Sequence, residues 1–148
     1  MWNYMRHRDR MIILKVISEI NIGYEMLGTA TLEEFLDDEK LKRAVSMTVI
    51  NIGELVKNIT DDTRKEHPNI PWKAIAGMRD VAAHKYQTLR MEDVYNTIHS
   101  DFLELKTQLN NLIENVRNLM ESMKWSAEQA MSAMKVSDAD KAVLLKEL

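Results

Sequence analysis

Apolar residues in the second half of the chain recur at steps of three and four positions, the spacing of one face of an α-helix. The longest of these stripes comprises Val94, Ile98, Phe102, Leu105, Leu109, Leu112, Val116 and Leu119. Shorter stripes of the same period cover residues 5–27 and 41–55, and the alternation typical of strands is nearly absent. The sequence therefore predicts an all-α protein, an antiparallel bundle of four to five helices joined by short links.

Residues that favour helix ends divide these stripes into separate helices. They are Gly28, the capping-box pair Thr31 and Glu34, and the prolines Pro68 and Pro71. We expect helices over residues 2–27, 39–59, 72–83 and 92–123. A polar turn is expected at residues 61–63. The basic run at residues 6–10 is expected to form a solvated face, with guidance of RNA or of an acidic partner as the alternative.

The sequence changes character after Met123, where the long stripe ends. We assign residues 1–121 to the helical bundle and residues 122–148 to a short helical C-terminal extension. Within the extension, Ser126 and Ser137 are candidate helix caps. Its apolar residues either pack against the bundle or dock to a partner protein, and the first alternative is favoured.

Composition narrows the classes of protein that fit. No apolar run reaches the roughly 18 residues of a membrane-spanning helix, and the N-terminus lacks the order of a secretory signal. The absence of cysteine excludes disulfides and thiolate metal sites, and a reducing cytoplasm is the simplest location. The scattered histidines do not have metal-ligand spacing, so no metal site is predicted. Since the net charge is −3, any contact with nucleic acid requires a local basic site.

Residues 77–86 concentrate chemically active side chains next to the proline break. They include Arg79, Asp80, His84, Lys85 and Tyr86. On a regular helix Asp80 faces His84 one turn later, and Arg79 shares a face with Tyr86. Arg79 and His84 are about 140° apart on a helix of 3.6 residues per turn. They converge only if the helix ends or bends near His84, or if the arginine side chain reaches around it.

These groups suit chemistry on a phosphodiester. Arg79 can bind a phosphate through paired donors and oppose the charge that develops in the transition state. The imidazole of His84 can transfer a proton, and RNA supplies its own nucleophile, the 2′-hydroxyl. Separate acid and base roles require two imidazoles, which a two-fold dimer would bring into one cleft. On spacing alone, a surface charge cluster without a function is an equal alternative.

The spacing Arg79-x4-His84-x-Tyr86 matches the signature of HepT toxins, a branch of the HEPN superfamily. Three further segments resemble that family, namely the lead-in to the motif, an Ile-Gly-Glu element and the entry to the last helix, at residues 70–78, 51–55 and 91–95. The resemblance covers about residues 1–121.

The resemblance implies a homodimer of helical bundles in which two Arg79–His84 pairs share one cleft. It implies metal-independent cleavage of RNA without a cofactor, with tRNA among the candidate substrates. It also implies the toxin of a type VII toxin–antitoxin pair, held inactive by a nucleotidyltransferase antitoxin of the MNT kind. That antitoxin can transfer adenylate to the motif tyrosine, here Tyr86, which adds bulk and negative charge where an RNA phosphate would bind.

Two residues depart from the family pattern. Many members have Asn where this chain has Asp80, whose carboxylate is expected to favour the charged form of His84. Lys85 replaces a common small residue and adds positive charge. Asp80 is grouped with Arg79 and His84 as a catalytic candidate, while Lys85 and Glu54 are supporting candidates. For Glu54, a buried carboxylate bonded near the motif is favoured over an exposed one.

The leading hypothesis is therefore an endoribonuclease toxin. The alternative is a non-catalytic subunit of a nucleotidyltransferase, which uses the same cleft to bind a nucleotide or its partner. Asp80 and the acidic net charge favour this alternative. A third hypothesis is a structural helical dimer whose motif has drifted. Cleavage of RNA by the isolated protein would separate the first hypothesis from the other two.

Overall fold

The structure is a computed structural model that describes residues 5–133, apart from the side chains of residues 120, 124–128 and 130–133. Its α-helices are α1 (His7–Leu27), α2 (Leu32–Asp37), α3 (Glu39–Lys57), α4 (Asp61–Glu66), α5 (Trp72–His84), α6 (Met91–Asn96) and α7 (Phe102–Ala133). A 3₁₀ turn, Tyr86–Thr88, follows α5, and a π-helical turn, Thr97–Asp101, joins α6 to α7.

Within residues 5–133 no strand is present, which confirms the all-α prediction. The chain divides into two compact units, Met1–Asn111 and Leu112–Leu148. None of the described helices is long and apolar enough to cross a lipid bilayer.

Helix α3 is central to the first unit, because it packs against both α1 and α5. Near the start of α1, Asp9 bonds to Thr60, which lies just beyond the end of α3. Near the end of α1, Gly23 lies against Thr48 in the middle of α3. The two helices therefore run antiparallel, as predicted for the bundle.

The buried apolar residues follow the predicted stripes with small shifts in phase. In the last stripe the predicted positions from Val94 to Leu112 are buried, whereas Leu119 is exposed. In α1, Ile13 is fully buried and the predicted Ile12 only partly so. The helical period is thus confirmed. A one-residue shift is expected where two neighbouring apolar side chains straddle the buried face.

Helix ends are formed by the residue types that the sequence indicates. Gly28 ends α1 with a φ of 53°, a left-handed conformation that costs glycine nothing. Thr31 accepts a hydrogen bond of 3.2 Å from the backbone N–H of Glu34 and so caps α2. The expectation of a polar turn at residues 61–63 was wrong, because α4 begins there and Thr60 caps it.

Asp9 connects α1 to the start of α4 and is fully buried. Its Oδ2 accepts hydrogen bonds of 2.6 Å from the hydroxyls of Thr60 and Thr63, and its Oδ1 accepts one of 3.3 Å from the backbone N–H of Thr60. A carboxylate also stabilises a helix N-terminus through the helix dipole. The expected solvated face at residues 6–10 was therefore wrong at Asp9, although the three residues before it are exposed.

The last predicted helix is present, but it is divided and longer than expected. In place of a single helix over residues 92–123, helix α6, the π-helical turn and α7 follow one another without a gap. Because α7 continues through Ser126, the predicted start of a separate helix at that residue was wrong. The second candidate cap, Ser137, lies outside the described residues.

Helices α3 and α5 approach each other closely at Gly53. A Cβ atom at this position would lie 2.6 Å from Cβ of Arg79, 2.9 Å from its backbone nitrogen and 3.1 Å from the carbonyl oxygen of Ile75. Non-bonded atoms do not pack at the shorter of these distances, so the contact requires glycine. The glycine of the Ile-Gly-Glu element thus allows the backbone of Arg79 to lie against α3.

Replacing Gly53 with alanine is expected to destabilise the protein, because the added methyl group forces α3 and α5 apart at Arg79. Overpacking of this kind lowers the free energy of unfolding by about 1–3 kcal/mol. The matched control is Gly77→Ala in α5, where a Cβ atom would meet nothing within 4 Å. There, alanine should raise the free energy of unfolding by about 0.5–1 kcal/mol. Chemical denaturation measures both, and equal stabilities of the two variants would contradict the close contact.

Candidate active site

The motif residues lie at the C-terminal end of α5. His84 is the last residue of the helix, and Arg79 lies five residues before it. The backbone N–H of Lys85 donates to the carbonyl oxygen of Val81 and closes the last turn. Tyr86 then begins the 3₁₀ turn. Helix α5 therefore ends at His84, and this end allows Arg79 and His84 to converge.

Arg79 and His84 are in contact at this helix end. Nη1 of Arg79 lies 3.4 Å from Nε2 of His84. The long arginine side chain spans the angular separation of the two residues because no further helical turn follows His84. The guanidinium, predicted to bind phosphate, and the imidazole, predicted to transfer a proton, thus lie side by side on the surface. Their catalytic roles stay predictions.

Two carboxylates and a lysine surround Arg79. Its Nε lies 3.0 Å from Oε2 of Glu54, which is an ion-pair distance without the direction of a hydrogen bond. Its Nη1 donates to Oδ1 of Asp80 at 3.1 Å, and the same oxygen accepts from Nζ of Lys57 at 3.2 Å. We call the group formed by Glu54, Lys57, Arg79, Asp80 and His84 the Arg79 cluster.

Asp80 is held by cations rather than by the imidazole. Its hydrogen bond with Arg79, and next the one with Lys57, lower the pKa of the Asp80 carboxyl below its ordinary value of 3.8. Among the described residues its ion pairs are with these two side chains, and none joins it to His84. Nη1 of Arg79, which donates to Asp80, also lies 3.4 Å from Nε2 of His84, so the carboxylate and the imidazole contact the same guanidinium nitrogen. The expected effect of Asp80 on the charge of His84 stays a prediction.

The Arg79 cluster is open to solvent. The exposed fraction of the side chain is 31% for Arg79, 55% for Asp80 and 56% for Glu54. Glu54 contacts the motif as expected, but its predicted burial was wrong, because it lies at the edge of the α3 face that packs against α5. Exposed ion pairs contribute little to stability. An anionic ligand can therefore reach Arg79 and exchange with the carboxylates at small cost.

Tyr86 lies two residues beyond His84 and packs against α3. The guanidinium carbon of Arg43 lies 5.4 Å from the centre of the Tyr86 ring, within the range of a cation–π contact. Lys85, between the two parts of the motif, is exposed. The supporting role of Lys85 and the modification of Tyr86 stay predictions.

The sequence analysis missed two residues of this region, Arg43 and Lys57, which both lie on α3. A signal for them exists in the sequence. At 3.6 residues per turn, Arg43, Glu54 and Lys57 fall within about 60° of one another around α3. Once Glu54 is placed beside the motif, the other two follow on the same stripe.

The residues that the structure describes contain no group of three or more histidine, aspartate or glutamate side chains arranged to hold a metal ion. The candidate site brings together the guanidinium, imidazole, ammonium and carboxylates of the Arg79 cluster, with the phenol of Tyr86 nearby.

Comparison with known proteins gives a consistent family. The family model described as Ribonuclease HepT-like matches residues 13–112. A "Putative RNase" of Caldanaerobacter subterraneus subsp. tengcongensis is 32% identical over 99 residues, which are 67% of this chain and 88% of the relative. The "Probable ribonuclease HepT" of Thermococcus cleftensis is 31% identical over 108 residues, which are 73% of this chain and 98% of the relative. No solved structure matches the chain significantly.

The matched segment contains the Ile-Gly-Glu element, the Arg79 cluster and Tyr86, and it spans more than half of the chain. This chain therefore belongs to the Ribonuclease HepT-like family of the HEPN superfamily.

Proposed function

We propose that this protein is a metal-independent endoribonuclease that cleaves RNA through Arg79 and His84. The observation that carries the proposal is the contact between Nη1 of Arg79 and Nε2 of His84, 3.4 Å apart at an end of α5 that is open to solvent. Membership of a ribonuclease family supports the proposal.

In the proposed reaction the 2′-oxygen of one nucleotide attacks the adjacent phosphorus. The new P–O bond forms as the bond from phosphorus to the 5′-oxygen of the next nucleotide breaks, which leaves a 2′,3′-cyclic phosphate and a free 5′-hydroxyl. Arg79 binds the phosphate and opposes the charge that develops on its oxygens. An imidazole takes the proton of the 2′-hydroxyl, and another delivers a proton to the departing 5′-oxygen.

The need for both a proton acceptor and a proton donor favours a homodimer. One subunit places a single imidazole, that of His84, beside Arg79. A two-fold axis next to α5 would bring a second pair into the same cleft. An exposed apolar surface beside the motif supports an interface there. A cavity of about 410 Å³ between α5 and α6 is lined by Met78, Val81 and Leu89, among others, and Val81 is 45% exposed.

Before RNA binds, Nη1 of Arg79 donates to Asp80 and Nε lies 3.0 Å from Glu54. A scissile phosphate that binds these two nitrogens would replace the carboxylates. We propose that Asp80 positions Arg79 and does not itself transfer a proton, since its lowered pKa keeps it ionised at neutral pH. When the phosphate replaces the carboxylates, Lys57 remains beside the cluster as a second positive charge. Lys85, exposed at the helix end, adds a third.

A specific observation also supports the alternative of a non-catalytic binding subunit. The two cations Arg79 and Lys57 are balanced by the two carboxylates of Glu54 and Asp80. A neutral cluster attracts polyanionic RNA weakly, because phosphate neutralisation supplies most of the affinity. The same cluster could hold one nucleotide or contact a nucleotidyltransferase without cleaving RNA.

The ribonuclease proposal predicts that the purified protein cleaves single-stranded RNA in the presence of EDTA. His84→Ala should lower the rate by about 10²-fold or more, which is the contribution of a general acid or base, and Arg79→Ala should do the same. His99→Ala, at an exposed histidine of the π-helical turn, is the matched control and should cleave normally. RNA left intact by the wild type from about pH 5 to about pH 9, a range that spans imidazole titration, would favour the binding subunit.

We further propose that the protein is the toxin of a toxin–antitoxin pair and acts in the cytoplasm. Its partner would be a nucleotidyltransferase of the MNT kind that transfers adenylate to Tyr86. The phenol oxygen would attack the α-phosphorus of ATP, with pyrophosphate as the leaving group. The position of Tyr86 beside the helix end that bears His84 supports this mechanism, because a bound adenylate would place bulk and negative charge in the path of the RNA.

Coexpression with such a nucleotidyltransferase is predicted to add AMP to Tyr86, detected by mass spectrometry of the digested protein. Tyr24, which is 43% exposed in α1, is an internal control and should remain unmodified. Tyr86→Phe should abolish the modification. An unmodified Tyr86 in the presence of an active transferase, or an equal yield on Tyr24, would contradict the proposal.

A further inference from the structure

Arg43 lies outside the motif and is held in place from two sides. Its guanidinium carbon lies 5.4 Å from the centre of the Tyr86 ring, and its Nε lies 3.6 Å from Oε2 of Glu39, one turn earlier on α3. The side chain is nevertheless 67% exposed. The guanidinium is thus supported by an aromatic ring while most of the side chain remains open to solvent.

The ion pairs that include Arg43 leave one positive charge in excess. Glu39 also bonds to Nζ of Lys42 at 3.0 Å, so one carboxylate is shared by two cations. The three side chains therefore carry a net charge of +1. In a chain with a net charge of −3, such a local excess is what an RNA phosphate requires.

Arg43 lies on the same stripe of α3 as the residues that contact the motif. Glu54, which contacts Arg79 at 3.0 Å, is eleven residues further along α3. At about 1.5 Å per residue and 3.6 residues per turn, the two positions are about 16 Å apart and about 20° apart around the helix. A strand of RNA that follows this face of α3 from Arg79 would reach Arg43 within a few nucleotides.

We propose that Arg43, supported by Tyr86, forms a subsite that binds an unpaired nucleotide of the RNA beyond the scissile phosphate. Proteins recognise single-stranded RNA by stacking its bases on aromatic rings and on guanidinium planes. Arginine also binds phosphate through paired N–H donors. The contacts with Tyr86 and Glu39 restrict the side chain before RNA arrives, which lowers the entropic cost of binding. The inference rests on the proposed action on RNA.

The test measures the affinity of the full chain for a fluorescent single-stranded RNA, in a His84→Ala background that prevents cleavage. Arg43→Ala should weaken binding about tenfold, within the range for the loss of one stacking contact. Arg43→Lys, which retains the charge but not the plane, should restore binding only in part. The matched control is Arg117→Ala. Arg117 is also exposed and also lies 3.6 Å from a glutamate of its own helix, Glu114, and its removal should leave binding unchanged.

A second comparison tests whether Arg43 and Tyr86 act as one unit. Tyr86→Leu should weaken binding. The double variant, Arg43→Ala with Tyr86→Leu, should have an affinity within about twofold of that of Arg43→Ala alone, since a shared contact is lost only once. Binding by Arg43→Ala that equals its parent, an equal loss in Arg117→Ala, or additive losses in the double variant would each overturn the subsite. Cleavage by the wild type is scored separately. If the protein binds RNA through Arg43 but does not cut it, the subsite proposal stands and the ribonuclease proposal fails.

Discussion

The close contact of Gly53 with the backbone of Arg79 is the constraint on which the candidate site depends. It sets the separation of α3 and α5 at the position from which the side chain of Arg79 projects. At this separation Glu54 and Lys57 reach Arg79 and Asp80 across the helix pair. Towards the N-terminal end of α3, the antiparallel course of the two helices brings Arg43 to Tyr86. A single helix thus supports both ends of the motif.

The charges of the Arg79 cluster balance in the absence of a ligand. The guanidinium and the ammonium of Lys57 are matched by Glu54 and Asp80, and all four side chains are partly or largely exposed. Such exposed pairs hold side chains in position without binding them strongly. A phosphate can therefore exchange with the carboxylates at Arg79, and the cluster becomes net positive only when they withdraw. The proposed binding of an RNA phosphate at Arg79 would therefore require Asp80 and Glu54 to rearrange.

The sequence could predict features that depend on one helix or on local spacing. The apolar period identified the bundle, Gly28 and Thr31 marked helix ends, and the motif spacing located Arg79 and His84. Features that depend on contacts between distant segments were missed or mistaken. Asp9 is buried and bonds to Thr60 and Thr63, which lie 51 and 54 residues later in the chain. Local spacing does not reveal such distant partners. Asp80 bonds to Lys57, which approaches from α3, and an i, i+4 argument within α5 does not include that contact.

In the proposed reaction, Arg79 and His84 direct the 2′-hydroxyl of RNA against its own adjacent phosphate. The most direct measurement is the chemical identity of the ends produced when the purified protein cuts a defined single-stranded RNA. We expect a 2′,3′-cyclic phosphate on one fragment and a 5′-hydroxyl on the other, with no cutting where a 2′-deoxynucleotide replaces the attacking one. Fragments with a 3′-hydroxyl and a 5′-phosphate would contradict it, because such ends require water as the nucleophile.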